Sequence, residues 1–177
     1  MRIVVSGTHA SGKSTLISDF RAAHPEYTVL GDPFDDVESG APTGAASFVA
    51  QRRVTVSRLR ESARESSVIS ERGPVDFLAY LTALEMLGRG DGALLSRAQE
   101  LVETSMAHID LVAVVPLDLR HPIDVPDDED PALREAMESA LLDALDDLER
   151  AGDAPPIVTL TGNPQERLAQ LEMAAGL

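Results

Sequence analysis

Five short apolar runs recur along the chain: Arg2–Ser6, Tyr27–Leu30, Val68–Ser70, Ile109–Val115 and Ile157–Leu160. Each is dense in Val, Ile or Leu and has the length of a buried strand, not of a helix. The stretches between them have helical character, at about 15–23, 44–66, 74–88, 91–107, 131–151 and 164–175. In the first of these, Leu16, Ile17 and Phe20 fall on one face. Pro74 behind Gly73 and Pro131 behind Asp130 suit the first turns of later helices. Buried strands alternating with helices predict an α/β fold with a mainly parallel sheet covered on both faces. No internal repeat and no dividing linker interrupts the pattern, so residues 1–177 read as one domain.

Two segments break the alternation. Residues 31–46 carry three Gly and two Pro, and residues 116–131 carry four Pro and six acids. Both follow a strand, and in open α/β sheets ligands sit at the carboxyl ends of strands. They are candidate covers for a ligand, residues 116–131 as a lid, with plain solvated loops as the alternative.

The first strand runs into Gly7-Thr8-His9-Ala10-Ser11-Gly12-Lys13-Ser14, which matches the phosphate-loop pattern Gly-x-x-x-x-Gly-Lys-Ser/Thr. The chemistry needs each part. The glycines let the backbone turn tightly and aim successive N–H groups at phosphate oxygens. The helix that follows adds its own N-terminal N–H groups and positive dipole end. The Lys13 ammonium reaches the β- and γ-phosphates, and the Ser14 hydroxyl is the expected Mg2+ ligand. Gly7, His9, Ala10, Ser11, Gly12, Lys13, Ser14 and Thr15 are therefore candidate nucleotide-binding residues, with His9 read as a spacer and not as a catalyst.

Composition sharpens this reading. Lys13 is the only lysine among 15 basic residues. A GC-rich coding bias explains arginine elsewhere but not the one lysine kept. The formal net charge is −15, which argues against general binding to nucleic acid or anionic membranes. It is uneven. Residues 118–150 hold 12 acids against three arginines, whereas residues 52–72 hold six arginines against three glutamates. There are no cysteines, which excludes disulfides, thiolate metal sites and thiol nucleophiles. No apolar run approaches a membrane span, and Ile3–Val5 is too short for a signal peptide, so a cytoplasmic protein is expected.

Other chemistry gathers at the strand ends. Glu71, in Ser70-Glu71-Arg72-Gly73, would point toward the phosphate loop and could hold Mg2+ directly or through water. Arg72 could clamp a phosphoryl oxygen. The alternative is an ordinary surface pair. Asp32 follows the second strand and is the candidate base for an acceptor hydroxyl, with Asp35 and Asp36 as competitors. Phe48, Gln51, Arg52, Thr55 and Leu59 share one helical side, a mixture suited to a flat polar ligand such as a nucleobase. Arg120 and Arg134 are the cations of the lid region, and either could close over a γ-phosphate. Thr161-Gly162-Asn163-Pro164, ahead of Arg167, is either a turn or a loop near a bound base. Asp76 reads as a first-turn cap.

With these residues in view, the chain resembles small P-loop kinases. More narrowly it is similar to the nicotinamide-riboside-kinase-like ATP-binding proteins and, more distantly, the deoxynucleoside kinases. Nearly the whole chain is covered. The phosphate loop carries the resemblance, together with Ser70-Glu71-Arg72-Gly73-Pro74-Val75-Asp76-Phe77-Leu78-Ala79-Tyr80, which looks like their Asp/Glu-Arg-Gly/Ser motif. The resemblance implies a P-loop NTPase fold with a five-stranded parallel sheet ordered 2-3-1-4-5. It also implies metal and phosphate roles for Glu71 and Arg72. Asp32-Pro33 stands where the deoxynucleoside kinases carry a Glu-Pro pair whose acid is the base. Phe48 and Gln51 resemble their substrate-side pair, and Arg134 a lid arginine. The shorter Asp32 and the acidic, arginine-poor lid depart from that pattern.

The expectation is thus a Mg2+- and ATP-dependent kinase acting on a hydroxyl of a nucleoside-like small molecule. Lys13, Asp32, Arg72 and Arg134 would be catalytic, and Asp32, Phe48, Gln51, Arg52 and Arg72 would bind the acceptor. Ser14 and Glu71 would hold the metal. No nucleic acid or membrane partner is expected, and a homodimer is a candidate assembly. Two alternatives stand beside it. One is a nucleoside-monophosphate kinase using Arg52, Arg53 and Arg72. The other is an NTP-binding regulatory ATPase without a small-molecule acceptor.

Overall fold

The computed structural model describes residues 1–32, 67–90, 92–118, 123, 130–152 and 154–177. Its elements are β1 (Arg2–Ser6), α1 (Lys13–Ala23), β2 (Thr28–Leu30), β3 (Val68–Glu71), α2 (Pro74–Met86), α3 (Gly92–Met106), β4 (Leu111–Val114), α4 (Pro131–Ala151), β5 (Ile157–Thr159) and α5 (Pro164–Ala175). The sheet has five strands in the order β2-β3-β1-β4-β5, and every neighbouring pair is parallel. This is the order expected. The helix expected over 44–66 lies outside the described residues, as does most of the segment 116–131.

Parallel strands are covered on both faces, so successive side chains of one strand enter different cores. In β1, Ile3 and Val5 pack with Leu16, Ile17, Phe20 and Leu171, beneath α1 and α5. Val4 turns the other way and packs with Val75, Ala79, Met137 and Leu141, beneath α2 and α4. β4 divides its residues in the same manner, Leu111 and Ala113 to one core and Val112 and Val114 to the other. This two-sided burial is why the strands read as unbroken apolar runs. The 11-residue α1 is too short to be stable alone, so its docked face holds it.

Local signals start and stop the helices where the chemistry requires. Asp130 accepts hydrogen bonds from the backbone N–H groups of Ala132 and Leu133, at 3.0 and 3.2 Å, and Pro131 occupies the first turn of α4. Asn163 and Glu166 cap α5 reciprocally, side chain to backbone, at 3.0 and 2.9 Å. Because all five strands point one way, the segments following them converge on one edge of the sheet. That edge carries the phosphate loop after β1, Asp32 after β2, Glu71 and Arg72 at the end of β3, Asp118 after β4 and Gly162–Pro164 after β5.

Candidate functional site

The phosphate loop leaves β1 between tight walls. A Cβ on Gly7 would lie 2.5 Å from the Val115 carbonyl oxygen and 2.7 Å from Ser11 Oγ, so no side chain fits there. Gly12 has φ +98°, a left-handed conformation that turns the loop into α1. Ala10 also has positive φ, 51°. Such a conformation costs an alanine about 1–2 kcal/mol, which the surrounding loop contacts must offset.

Lys13 is the first residue of α1 and is only 4% exposed. Its Nζ donates to the Thr8 carbonyl oxygen at 2.7 Å and lies 3.9 Å from Glu71 Oε1. Burial, and then the nearby Arg72 charge, lower its pKa to about 8, with Glu71, Asp76 and Asp32 opposing the shift. An ammonium stripped of water in this way gains most from a polyanion brought against it. Ser14 Oγ donates to Glu71 Oε1 at 2.9 Å, and burial raises the pKa of Glu71 against the opposing pull of Lys13 and Ser14. A hydroxyl and a carboxylate side by side form an all-oxygen donor pair. That pair fits Mg2+, which takes one or two protein ligands and completes its shell with phosphate and water. Among the described residues no group of three or more His, Cys, Asp or Glu forms a cage for a metal by itself.

Arg72 and Asp32 form the next part. Arg72 Nε donates to Asp32 Oδ2 at 2.7 Å, and its NH1 is 3.4 Å from the Gly7 carbonyl oxygen. The guanidinium is 5.5 Å from the Tyr80 ring centre. Burial opposes the Arg72 charge, but Tyr80, Asp32 and Asp76 outweigh it and hold the group above its ordinary pKa. Arg72 is 2% exposed, and Glu71 turns to Ser14 and Lys13, so the two are not a surface pair. The Arg72 backbone has φ +63°. Ser70 Oγ donates to the Arg72 carbonyl oxygen at 3.1 Å, and the Arg72 N–H donates to the Val5 carbonyl oxygen at 3.0 Å. These bonds keep a conformation that a non-glycine residue otherwise avoids.

A cavity of about 280 Å³ gathers these groups, with Lys13, Ser14, Asp32, Glu71 and Arg72 all on its wall. A second cavity, about 290 Å³ and more apolar, lies across the loop, lined by Leu16, Leu117, Asp118, Arg134, Asn163 and Arg167 among others. Ala10, Gly12, Thr15 and Ile123 line both. Arg134 belongs to the second cavity and is not on the wall shared by Lys13 and Asp32. It donates from Nε to the His9 carbonyl oxygen at 3.0 Å, and its NH2 is 3.4 Å from that of Ala10. Phe48, Gln51, Arg52, Arg53, Asp35, Asp36 and Arg120 lie outside the described residues.

Two residues do more than their sequence positions suggest. Asp76 caps α2 as expected, accepting from the Gly73 N–H at 2.8 Å. It also accepts from Ser6 Oγ at 2.7 Å and from the Gly7 N–H at 3.0 Å, and it is fully buried. It therefore ties the entrance of the phosphate loop to the Glu71–Gly73 turn. The spacing Gly73-Pro74-Val75-Asp76 signalled only the cap, because the other two donors come from the end of β1 and the loop residue after it. Arg167 donates from NH1 to the Ser11 carbonyl oxygen at 2.9 Å. Nothing in its local sequence marks that contact, which spans 156 positions.

Known structures share this architecture. A deoxyadenosine kinase from M. mycoides, solved with the products dCMP and a flexible dCDP, aligns with a TM-score of 0.72 at 10% identity, covering 99% of each chain. Thymidylate kinase from Candida albicans aligns with a TM-score of 0.71 at 17% identity, over 99% of this chain and 90% of that one. The NadR protein in complex with NR aligns with a TM-score of 0.71 at 11% identity, and this chain spans 51% of its length. At these identities the likeness is one of fold, the P-loop NTPase fold as these kinases carry it. No curated protein sequence matches the chain. A family model described as an AAA domain matches residues 2–167, from the first strand through the phosphate loop to Arg167 in the last helix. By that match, which spans nearly its whole length, the chain belongs to the AAA domain family.

Proposed function

We propose that this protein is a Mg2+- and ATP-dependent phosphotransferase that moves the γ-phosphoryl group of ATP to a hydroxyl of a nucleoside-like small molecule. One observation carries the reading: the phosphate-loop lysine, the Ser14–Glu71 pair and the Asp32–Arg72 pair share the wall of one cavity. Likeness to the solved nucleoside and nucleotide kinases supports it. Residues 1–177 are read as one kinase domain, and the enzyme as cytoplasmic. No helix among the described residues is long and apolar enough to cross a membrane.

The loop N–H groups and Lys13 would bind the phosphate chain. Ser14 and Glu71 would hold Mg2+, whose chemistry when bound is to neutralise phosphate charge. Asp32 would accept the proton of the acceptor hydroxyl as its oxygen bonds to the γ-phosphorus. The bond from that phosphorus to the β–γ bridging oxygen breaks, and ADP leaves. Arg72, fixed by Asp32 and by its strained backbone, would orient that carboxylate and steady the charge on the transferring group. Most of the rate enhancement would come from positioning and electrostatics. Arg134, resting on the loop's carbonyl oxygens, would act from the side of the second cavity.

The test is ADP release from Mg2+-ATP across a panel of nucleosides, nucleoside monophosphates, sugars and aminoglycosides. The proposal expects turnover with a nucleoside-like hydroxyl, and Lys13→Ala lowering it by about 10²–10³-fold, the scale for losing one key electrostatic donor. The likeness to thymidylate kinase favours a second reading, a monophosphate acceptor, which the same panel separates. ADP release that needs no acceptor overturns both in favour of a regulatory ATPase.

A further inference from the structure

We infer that Arg167 is a positioning residue for the phosphate loop, acting from the last helix through the Ser11–Gly12 peptide. The inference rests on the reading of that loop as a nucleotide site. Arg167 is 8% exposed, a rare burial for arginine unless the charge is used. Its NH1 donates to the Ser11 carbonyl oxygen at 2.9 Å, and its NH2 lies 4.0 Å from Asp118 Oδ2. Its Nε has no hydrogen-bond partner among the described residues. A buried donor left over is costly, so packing stability alone is a poor account of this side chain.

Peptide geometry shows what the contact does. The Ser11 carbonyl and the Gly12 N–H belong to one planar trans peptide and point in opposite directions. Holding the oxygen against the guanidinium aims the Gly12 N–H away from Arg167. Gly12 lines the cavity that Lys13, Ser14 and Glu71 also line. Among the described residues no backbone N–H donates to the Ser11 carbonyl oxygen, so a side-chain donor has to fix this plane. Gly12 and Arg167 are matched: a Cβ on Gly12 would lie 3.0 Å from Arg167 NH1, a contact the guanidinium would have to yield to. The second glycine of the loop motif thus leaves room for a side chain from α5. Asp118, after β4, supplies opposite charge beside the other end of the fork.

The experiment measures binding of Mg2+-ATP and of Mg2+-tripolyphosphate, which has no base, to the full chain by calorimetry, for wild type, Arg167→Met and Arg167→Lys. Hydrogen exchange of the unliganded proteins accompanies it. The expected result is that Arg167→Met weakens both ligands by a similar factor, about tenfold. Arg167→Lys, which keeps one donor and the charge, falls between. Exchange quickens at the amides of residues 8–13 and not across the sheet. If Arg167→Met does not fold, Arg167→Lys carries the same comparison. Loss of ATP affinity with tripolyphosphate unchanged overturns the inference, since Arg167 would then contact the base. Unchanged affinity for both, or exchange quickened throughout the sheet, overturns it as well. Failure of the wild type to bind either ligand overturns the nucleotide reading instead, and the exchange comparison still decides whether Arg167 orders the loop.

Discussion

Lys13 shows most directly how a residue's environment becomes a function. Burial and Arg72 hold its ammonium at about 8, below its ordinary 10.5, so the free site sheds a proton that an exposed lysine keeps. A bound polyphosphate favours the charged form and pulls the pKa back up. ATP affinity is therefore expected to fall as pH rises through about 8, with proton uptake on binding near that pH. Calorimetry in buffers of different ionisation enthalpy measures the uptake, and Lys13→Met should abolish it. Lys13, Ser14 and Glu71 were legible in the sequence because loop and strand-end residues announce themselves by their spacing. Asp76 was legible only in part. Asp76→Asn leaves one oxygen to accept from Ser6 and Gly73 and turns its NH2 group toward the Gly7 N–H, and it is expected to destabilise the fold by about 1–3 kcal/mol in chemical denaturation. It should also weaken nucleotide binding, because the Gly7 N–H loses its acceptor. A variant that binds as tightly as wild type would restrict Asp76 to the cap.

Among the elements, each described strand and helix lies where the alternation of apolar runs and helical spacing put it, with ends that differ by a residue or two. α1 begins at Lys13 and not at Thr15, since the loop's last N–H groups already belong to the helix. β4 covers only Leu111–Val114 of the run Ile109–Val115, because the run's burial extends beyond its strand pairing. Caps were readable for the same reason that caps work, being local. Asn163 pairs with Glu166 three positions on. Asn163→Ala is expected to cost about 1 kcal/mol, seen as a lower denaturation midpoint. A larger loss would mean that the cap also holds the cavity wall it lines.

The whole molecule carries −15 formal charges, and residues 118–150 hold 12 of its 30 acids. Self-repulsion of that size weakens the compact state and is screened by salt. The thermal midpoint is expected to rise as ionic strength goes from about 0.01 to about 0.5 M, where the Debye length shrinks from ~30 to a few ångströms. A falling midpoint would mean that attractive pairs such as Arg2–Asp110 dominate. The sequence by itself determined the fold class, the strand order through the family resemblance, and the phosphate loop. The fold class and the loop depend on patterns within a few residues of one another, which alternation and spacing record; the strand order came from the resemblance alone. Tertiary structure alone decided that Arg72 holds Asp32, that Asp76 holds Gly7, that Arg134 rests on the loop and that Arg167 reaches Ser11. Those contacts join residues tens to more than a hundred positions apart. Parallel strands bring all their carboxyl ends to one edge, and only the packed sheet makes such distant side chains neighbours.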